Sequence, residues 1–212
     1  MTKEKQNVLI AGANGTTGRI VVDLLKASES YTPIAMVRKQ AQKEQFEQEQ
    51  VTAVLGDLEE EISHVVKNVH KVIFAAGSKG KNVIGVDQEG AKKLTKVAND
   101  AGVKKFVMLS TMGADNPSIS EEMEEYLKAK QNADEYLKDS GLTYSIVRPG
   151  ALTDEEGTGK IKLKQKLESF GEITRADVAK TLVEVLEDGI MENQVFEIVA
   201  GEEAVAKAVR QA

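Results

Sequence analysis

The sequence predicts an α/β fold built on a doubly wound parallel sheet, and three observations carry that expectation. Short apolar runs of strand length alternate with helix-patterned stretches almost to the end of the chain. Several of these runs, "VLIA" at 8–11, "VIFAA" at 72–76 and "FVML" at 106–109, are apolar throughout rather than at every second position, as strands covered on both faces require. The 212 residues, 41% of them hydrophobic, suit one sizeable core and are too few for two independent ones. A single domain over 1–212 is expected, with an irregular region at 151–173.

The elements follow in order. Strands are expected over 7–11, 33–37, 51–55, 71–75, 104–109 and 142–147. Helices fill the gaps at 17–27, 40–48, 58–67, 87–101 and 119–139. The acidic stretches at 59–61 and 121–125 mark helix starts, where negative charge suits the dipole. Ser118-Ile119-Ser120-Glu121 has the spacing of a capping box. Beyond Pro149 the chain is rich in glycine and charge, which predicts a loop with a short strand or hairpin. The alternation Ile161-Lys162-Leu163-Lys164 is that of a half-exposed strand. A helix over 175–188, a strand over 195–199 and a terminal helix from 202 complete the pattern.

Composition narrows the function. A net charge of −6 argues against nucleic acid or an anionic membrane as partner. There is no cysteine for thiolate chemistry. The charged opening residues lead into no apolar leader, and no run approaches membrane-spanning length, so a cytoplasmic location is expected. His64 and His70, the two histidines, are expected to be solvated, and no metal site is expected.

The turn after the first strand carries the strongest signal. "VLIAGANGTTGR" places Gly12, Gly15 and Gly18 at three-residue spacing between strand and helix, with Asn14, Thr16 and Thr17 between them. Glycine weakens both element types, so its use here needs a reason. In such a crossover the first glycine permits the turn and the second lets backbone approach a pyrophosphate. The third lets helix pack close to strand, and the helix N-terminus supplies unpaired N–H groups. The alternative is a tight turn with no ligand.

The end of the second strand bears on which dinucleotide binds. A site for NAD places a carboxylate there for the ribose 2′-hydroxyl, whereas this chain has Arg38. Arg38 suits a 2′-phosphate, with Arg19 at the helix start as a second positive charge, so NADP (NADPH) is expected. The alternative for Arg38 is a solvated strand-end residue.

Two helices carry charges inside apolar arcs. On the helix over 119–139, Met123, Leu127, Ala133 and Leu137 define the arc, and Tyr126 and Lys130 fall within it, four apart. Snorkelling to the rim is the alternative for Lys130. On the helix over 87–101, Asp87 shares the arc of Ala91, Leu94, Val97, Ala98 and Ala101; capping is its alternative. Together they make an acid/base constellation, because a nearby ammonium favours ionisation of the phenol. Ser110 and Thr111 end the fifth strand, at the edge where open α/β sheets bind ligands. A hydroxyl there orients a carbonyl substrate or simply begins a turn.

In combination these residues resemble the short-chain dehydrogenase/reductase superfamily, over nearly the whole chain. Gly12-x-x-Gly15-x-x-Gly18 is similar to its extended and atypical branches, and Tyr126-x-x-x-Lys130 matches its Tyr-x-x-x-Lys pair. "YSIVRPG" at 144–150 looks like a segment of small atypical members, named as NAD(P)H-binding, sugar-epimerase-like or NmrA-like proteins. The resemblance implies a Rossmann fold in which Asp57 and Leu58 contact adenine. Ala75, Ala76 and Gly77 would line the ribose and phosphates, and Pro149 and Gly150 would approach the nicotinamide. It implies Tyr126 as general acid/base, Lys130 on the nicotinamide ribose and Ser110 or Thr111 on the substrate. Asp87 stands where the superfamily usually has Asn. The function expected is an NADP(H)-dependent oxidoreductase on a small carbonyl or alcohol, its pocket built by 151–173. A sugar epimerase or dehydratase, flavin-type or biliverdin-type reduction, and a non-catalytic NADP(H) sensor are the alternatives.

Overall fold

The structure is a computed structural model that describes residues 4–78 and 80–212. The strands are β1 (Gln6–Ala11), β2 (Tyr31–Val37), β3 (Thr52–Leu55), β4 (Lys71–Phe74), β5 (Lys105–Leu109), β6 (Tyr144–Pro149), β7 (Ala151–Thr153), β8 (Lys160–Lys164), β9 (Glu172–Thr174), β10 (Gln194–Ala200) and β11 (Glu203–Ala204). The helices are α1 (Thr16–Lys26), α2 (Gln40–Gln48), α3 (Ala91–Asp100), α4 (Glu124–Asp139), α5 (Arg175–Glu184) and α6 (Val205–Gln211). Among the described residues the main sheet has nine strands in the order β11-β8-β10-β6-β5-β4-β1-β2-β3. From β3 to β10 every pairing is parallel, and β8 and β11 add an antiparallel margin.

The alternation of side chains along β1 explains why both faces are covered. Val8 and Ile10 pack with Val21, Val22 and Leu25 of α1 and with Val178 and Leu182 of α5. Leu9 and Ala11 face the other way, toward Leu94 and Ala98 of α3 and Ala133 and Leu137 of α4. Each fully buried Val, Leu or Ile among them contributes about 1.5–3 kcal/mol. The strand order reverses direction between β1 and β4, which puts the carboxyl ends of those strands at a topological switch point.

Four expectations are corrected. The stretch 58–67 is not a helix but a turn followed by a 3-10 turn at Ser63–Val66. Asp57 Oδ1 accepts from Glu59 N at 3.1 Å, and Lys93 Nζ donates to the carbonyls of Leu58 and Glu60 at 2.8 and 2.6 Å. Those bonds fix the backbone in a bend. The helix expected from 87 is preceded by a π-helix, Val83–Gly90, so Asp87 lies inside it rather than capping an α-helix. Helix α4 begins at Glu124, with Met123 as N-cap and no side-chain cap; Ser118 belongs to the 3-10 turn Pro117–Ile119, and no capping box forms there. In 151–173 the short-strand alternative forms rather than a hairpin: β7 pairs in parallel with β9, and β8 joins the main sheet through β10. Strand β8 is half-exposed as expected. His70 is half-buried rather than fully solvated, and its Nδ1 accepts from Asn7 N at 2.9 Å; the His64 side chain is 54% exposed.

At the amino edge of the sheet two lysines are fully buried. Lys71 and Lys105 open β4 and β5 as direct neighbours in register. Lys71 Nζ donates to Leu186 O and pairs with Asp188, while Lys105 Nζ donates to Glu187 O and Ile190 O at 3.0 and 2.6 Å. Both ammoniums therefore bond backbone carbonyls just past the end of α5. Burial pushes the Lys105 ammonium down to about 8. Among the described residues no helix is long and apolar enough to cross a membrane.

Candidate active site

The turn from β1 into α1 needs its glycines for different reasons. Gly12 has φ +87°, and a Cβ there would lie 2.6 Å from Ala75 O and Ala76 N. A Cβ on Gly18 would lie 2.1 Å from Gly12 O. Both are imposed by close approach of backbone to backbone. Gly15 is the N-cap of α1 with an ordinary φ of −80° and no side-chain cap, and its Cβ would meet only Gly12 O, at 3.2 Å. Packing thus bears far less on Gly15 than on its two partners.

The amides of Thr16, Thr17 and Gly18 open the first turn, where a helix offers them no carbonyl of its own. Asn14, Gly15 and Thr16 are exposed on this turn, at the positive end of α1. The chemistry of this donor set, backbone N–H beside a bare glycine, fits a pyrophosphate. Ala75, Ala76 and Gly77 run alongside it, with Ala75 N donating to Ala11 O at 2.9 Å.

The second strand delivers Arg38 to the same edge, exposed. Gln42 Oε1 accepts from Arg38 N and Lys39 N at 3.2 and 3.1 Å, which sets the bend into α2. Arg19 does not stand free beside it. Its guanidinium lies 4.3 Å above the Phe46 ring and pairs with Glu49 at 2.5 Å, so its charge is already answered. Leu58 is buried, and a Cβ on Gly90 would lie 2.8 Å from its own Cβ, so the π-helix closes directly on that residue.

Of the acid/base candidates, Lys130 and Ser110 lie at the end of β5, and Asp87 bonds the loop after β4. Lys130 is 3% exposed, and its Nζ donates to Leu109 O at 2.8 Å rather than snorkelling outward. Tyr126, one turn earlier on α4, is half-buried, whereas Met123 is exposed. Asp87 is buried, and its Oδ2 accepts from Ser78 N at 3.0 Å, so this carboxylate fixes the loop after β4. Ser110 is buried and donates to Asp134 Oδ2 at 2.8 Å; Thr111, half-buried, is the next hydroxyl along. Met112 N donates to Pro149 O at 3.0 Å, tying the two loops that follow β5 and β6. Gly150 is a glycine for packing, since its Cβ would lie 2.1 Å from Gly171 O.

Sequence reasoning missed Asp134 and the role of Arg148. Asp134 Oδ2 also accepts from Arg148 Nε and Nη2 at 3.0 and 2.9 Å. Burial pushes its carboxyl up, against the pull of the Arg148 guanidinium. From Arg148 the charges continue to Asp115 at 3.6 Å, then Lys166 at 2.8 Å, then buried Glu197 at 3.0 Å. The one signal in the sequence was spacing: Asp134 is four residues past Lys130 and seven past Leu127, on the buried face.

Comparisons with known proteins show which family and fold the chain resembles. A family model described as NAD(P)H-binding matches residues 12–189. A Bacillus subtilis protein whose name calls it an uncharacterized sugar epimerase is 39% identical, over 96% of this chain and 99% of its own. Sanguinarine reductase of Eschscholzia californica is 25% identical over 99% and 94%. Among solved structures, a Bacillus halodurans chain named for an NAD-dependent epimerase/dehydratase superposes with a TM-score of 0.93 at 37% identity, covering 98% of this chain and all of that one. An anaerobillin reductase from Escherichia coli gives 0.80 at 25% identity, over 93% and 98%.

Proposed function

The chain belongs to the NAD(P)H-binding family, and we propose that within it this protein is an NADP(H)-dependent oxidoreductase acting on a small carbonyl or alcohol. The observation that carries the reading is the pairing, at one sheet edge, of an anion-cradling turn with a buried Lys130 and Tyr126 one helical turn away. The nicotinamide, when bound, gives or takes the hydride. Tyr126 passes the proton to or from the substrate oxygen, and Lys130 holds the ribose. Thr111 orients the substrate, since the Ser110 hydroxyl is engaged by Asp134. NADP over NAD rests on Arg38 with no carboxylate at the strand end.

A second reading, transient oxidation in a sugar epimerase, is favoured by the name of the Bacillus subtilis relative. The test is NADPH and NADH binding by calorimetry, followed by NADPH oxidation against aldehydes, quinones, flavins and sugar nucleotides. Binding of NADPH at least tenfold tighter than NADH, lost in Arg38→Ala, supports the cofactor assignment. Turnover abolished in Tyr126→Phe supports catalysis. Equal affinity for both nucleotides, or a fully active Phe variant, refutes the respective part; binding with no turnover of any acceptor leaves a cofactor sensor.

A further inference from the structure

We propose that Asp134 is a positioning residue of this site, holding the Tyr126–Lys130 face of α4 against the end of β5 and supplying the buried countercharge for Lys130. The proposal rests on the reading of Lys130 as a cofactor-holding group. Lys130 and Asp134, one turn apart and both buried, are fastened to the last residue of β5 and the one after it: Lys130 Nζ to Leu109 O, and Asp134 Oδ2 to the Ser110 hydroxyl. Two polar bonds at this spacing fix both the rotation and the height of α4, which apolar packing alone leaves free to slide.

The charge has its own part. Among the described residues the Lys130 ammonium bonds only a neutral carbonyl, and a buried ammonium needs a countercharge. Asp134, 1% exposed, lies one helical turn further along the same buried face, and its ion-pair partner, Arg148, stands near the end of β6, ahead of Pro149 and Gly150. All three donors to Asp134 converge on Oδ2, while Oδ1 is buried with no partner. A carboxylate kept at such a cost adds little to stability that packed apolar residues would not match. What apolar residues cannot supply is a fixed negative charge one turn from Lys130. Through Arg148, Asp115 and Lys166 the same group also reaches the segment after Gly150, so one side chain joins three walls of the site.

The experiment is a double-mutant cycle on NADPH affinity, measured by calorimetry on the full chain with Asp134→Asn, Lys130→Met and both together. Because Asp134 acts through Lys130, Asp134→Asn is expected to weaken NADPH binding about tenfold in the wild-type background and less than twofold in the Lys130→Met background. Thermal midpoints are expected to drop more in the wild-type background than in the Lys130→Met background, because only the former leaves a buried ammonium without its countercharge. Equal weakening in both backgrounds, or none in either, overturns the proposal while leaving the cofactor assignment standing. Absence of NADPH binding by the wild type overturns both. Should Asp134→Asn fail to fold, Ser110→Ala, which removes one of the carboxylate's donors, enters the same cycle, with the same non-additivity expected and additivity again overturning it.

Discussion

Alanine at Gly15 and alanine at Gly18 should fail in opposite ways. At Gly18 the added methyl carbon would sit 2.1 Å from Gly12 O and 2.8 Å from Gly12 C, and both neighbours are backbone, so nothing can rotate aside. The strand-to-helix turn must open, at a cost on the order of the 1–3 kcal/mol of core overpacking or more. At Gly15 the same methyl meets one carbonyl at 3.2 Å in an ordinary conformation. Alanine there gains about 0.4–1 kcal/mol from a less flexible unfolded chain and loses about as much as an N-cap residue, so stability should stay within about 1 kcal/mol. NADPH affinity should nonetheless fall at least tenfold, because the methyl occupies the approach of the diphosphate. Urea denaturation supplies the first quantity and calorimetric titration the second. A folded Gly15→Ala protein that binds NADPH as tightly as wild type would refute the assignment of this turn.

Other expectations are open to direct measurement. The Lys105 ammonium, held near 8 in the folded chain and near 10.5 when unfolded, loses its proton in the native state first. The unfolded chain therefore binds more protons between those values, and wild-type stability should rise with pH across that window, by up to about 3 kcal/mol relative to Lys105→Met. Parallel stability curves for the two proteins would exclude this. Asp177 accepts from Thr158 N and Gly159 N at 3.0 and 2.7 Å and from the Thr174 hydroxyl at 3.0 Å. Asp177→Ala strands those donors and should cost about 1–3 kcal/mol. Limited proteolysis should then cut near Thr158 well before global unfolding; an unchanged cleavage rate would show that the carboxylate does not pin the segment.

The strands and the glycine turn were legible because their signals are local. Continuous apolar runs such as 72–76 announce two-sided burial, and the spacing of Gly12, Gly15 and Gly18 sits within one crossover. What escaped depends on partners distant in sequence. The stretch 58–67 carries helix-start acids, yet Lys93, over 30 residues on, holds its carbonyls in a bend. Arg19 looked available until Glu49 and Phe46 came to it across α2. Lys71 and Lys105 were placed in strands with no hint that α5 would end above them. Asp134 passed for one more polar residue on a charged helix, because its donors come from the ends of two different strands.

The left-handed bend at Gly12 has a consequence for association. Backbone packed on both sides of it, from Ala75 and from Gly18, sets its shape without help from any guest. Little chain entropy then remains to be lost when a nucleotide arrives, and capture becomes a matter of collision and shedding of water rather than of moulding the receptor.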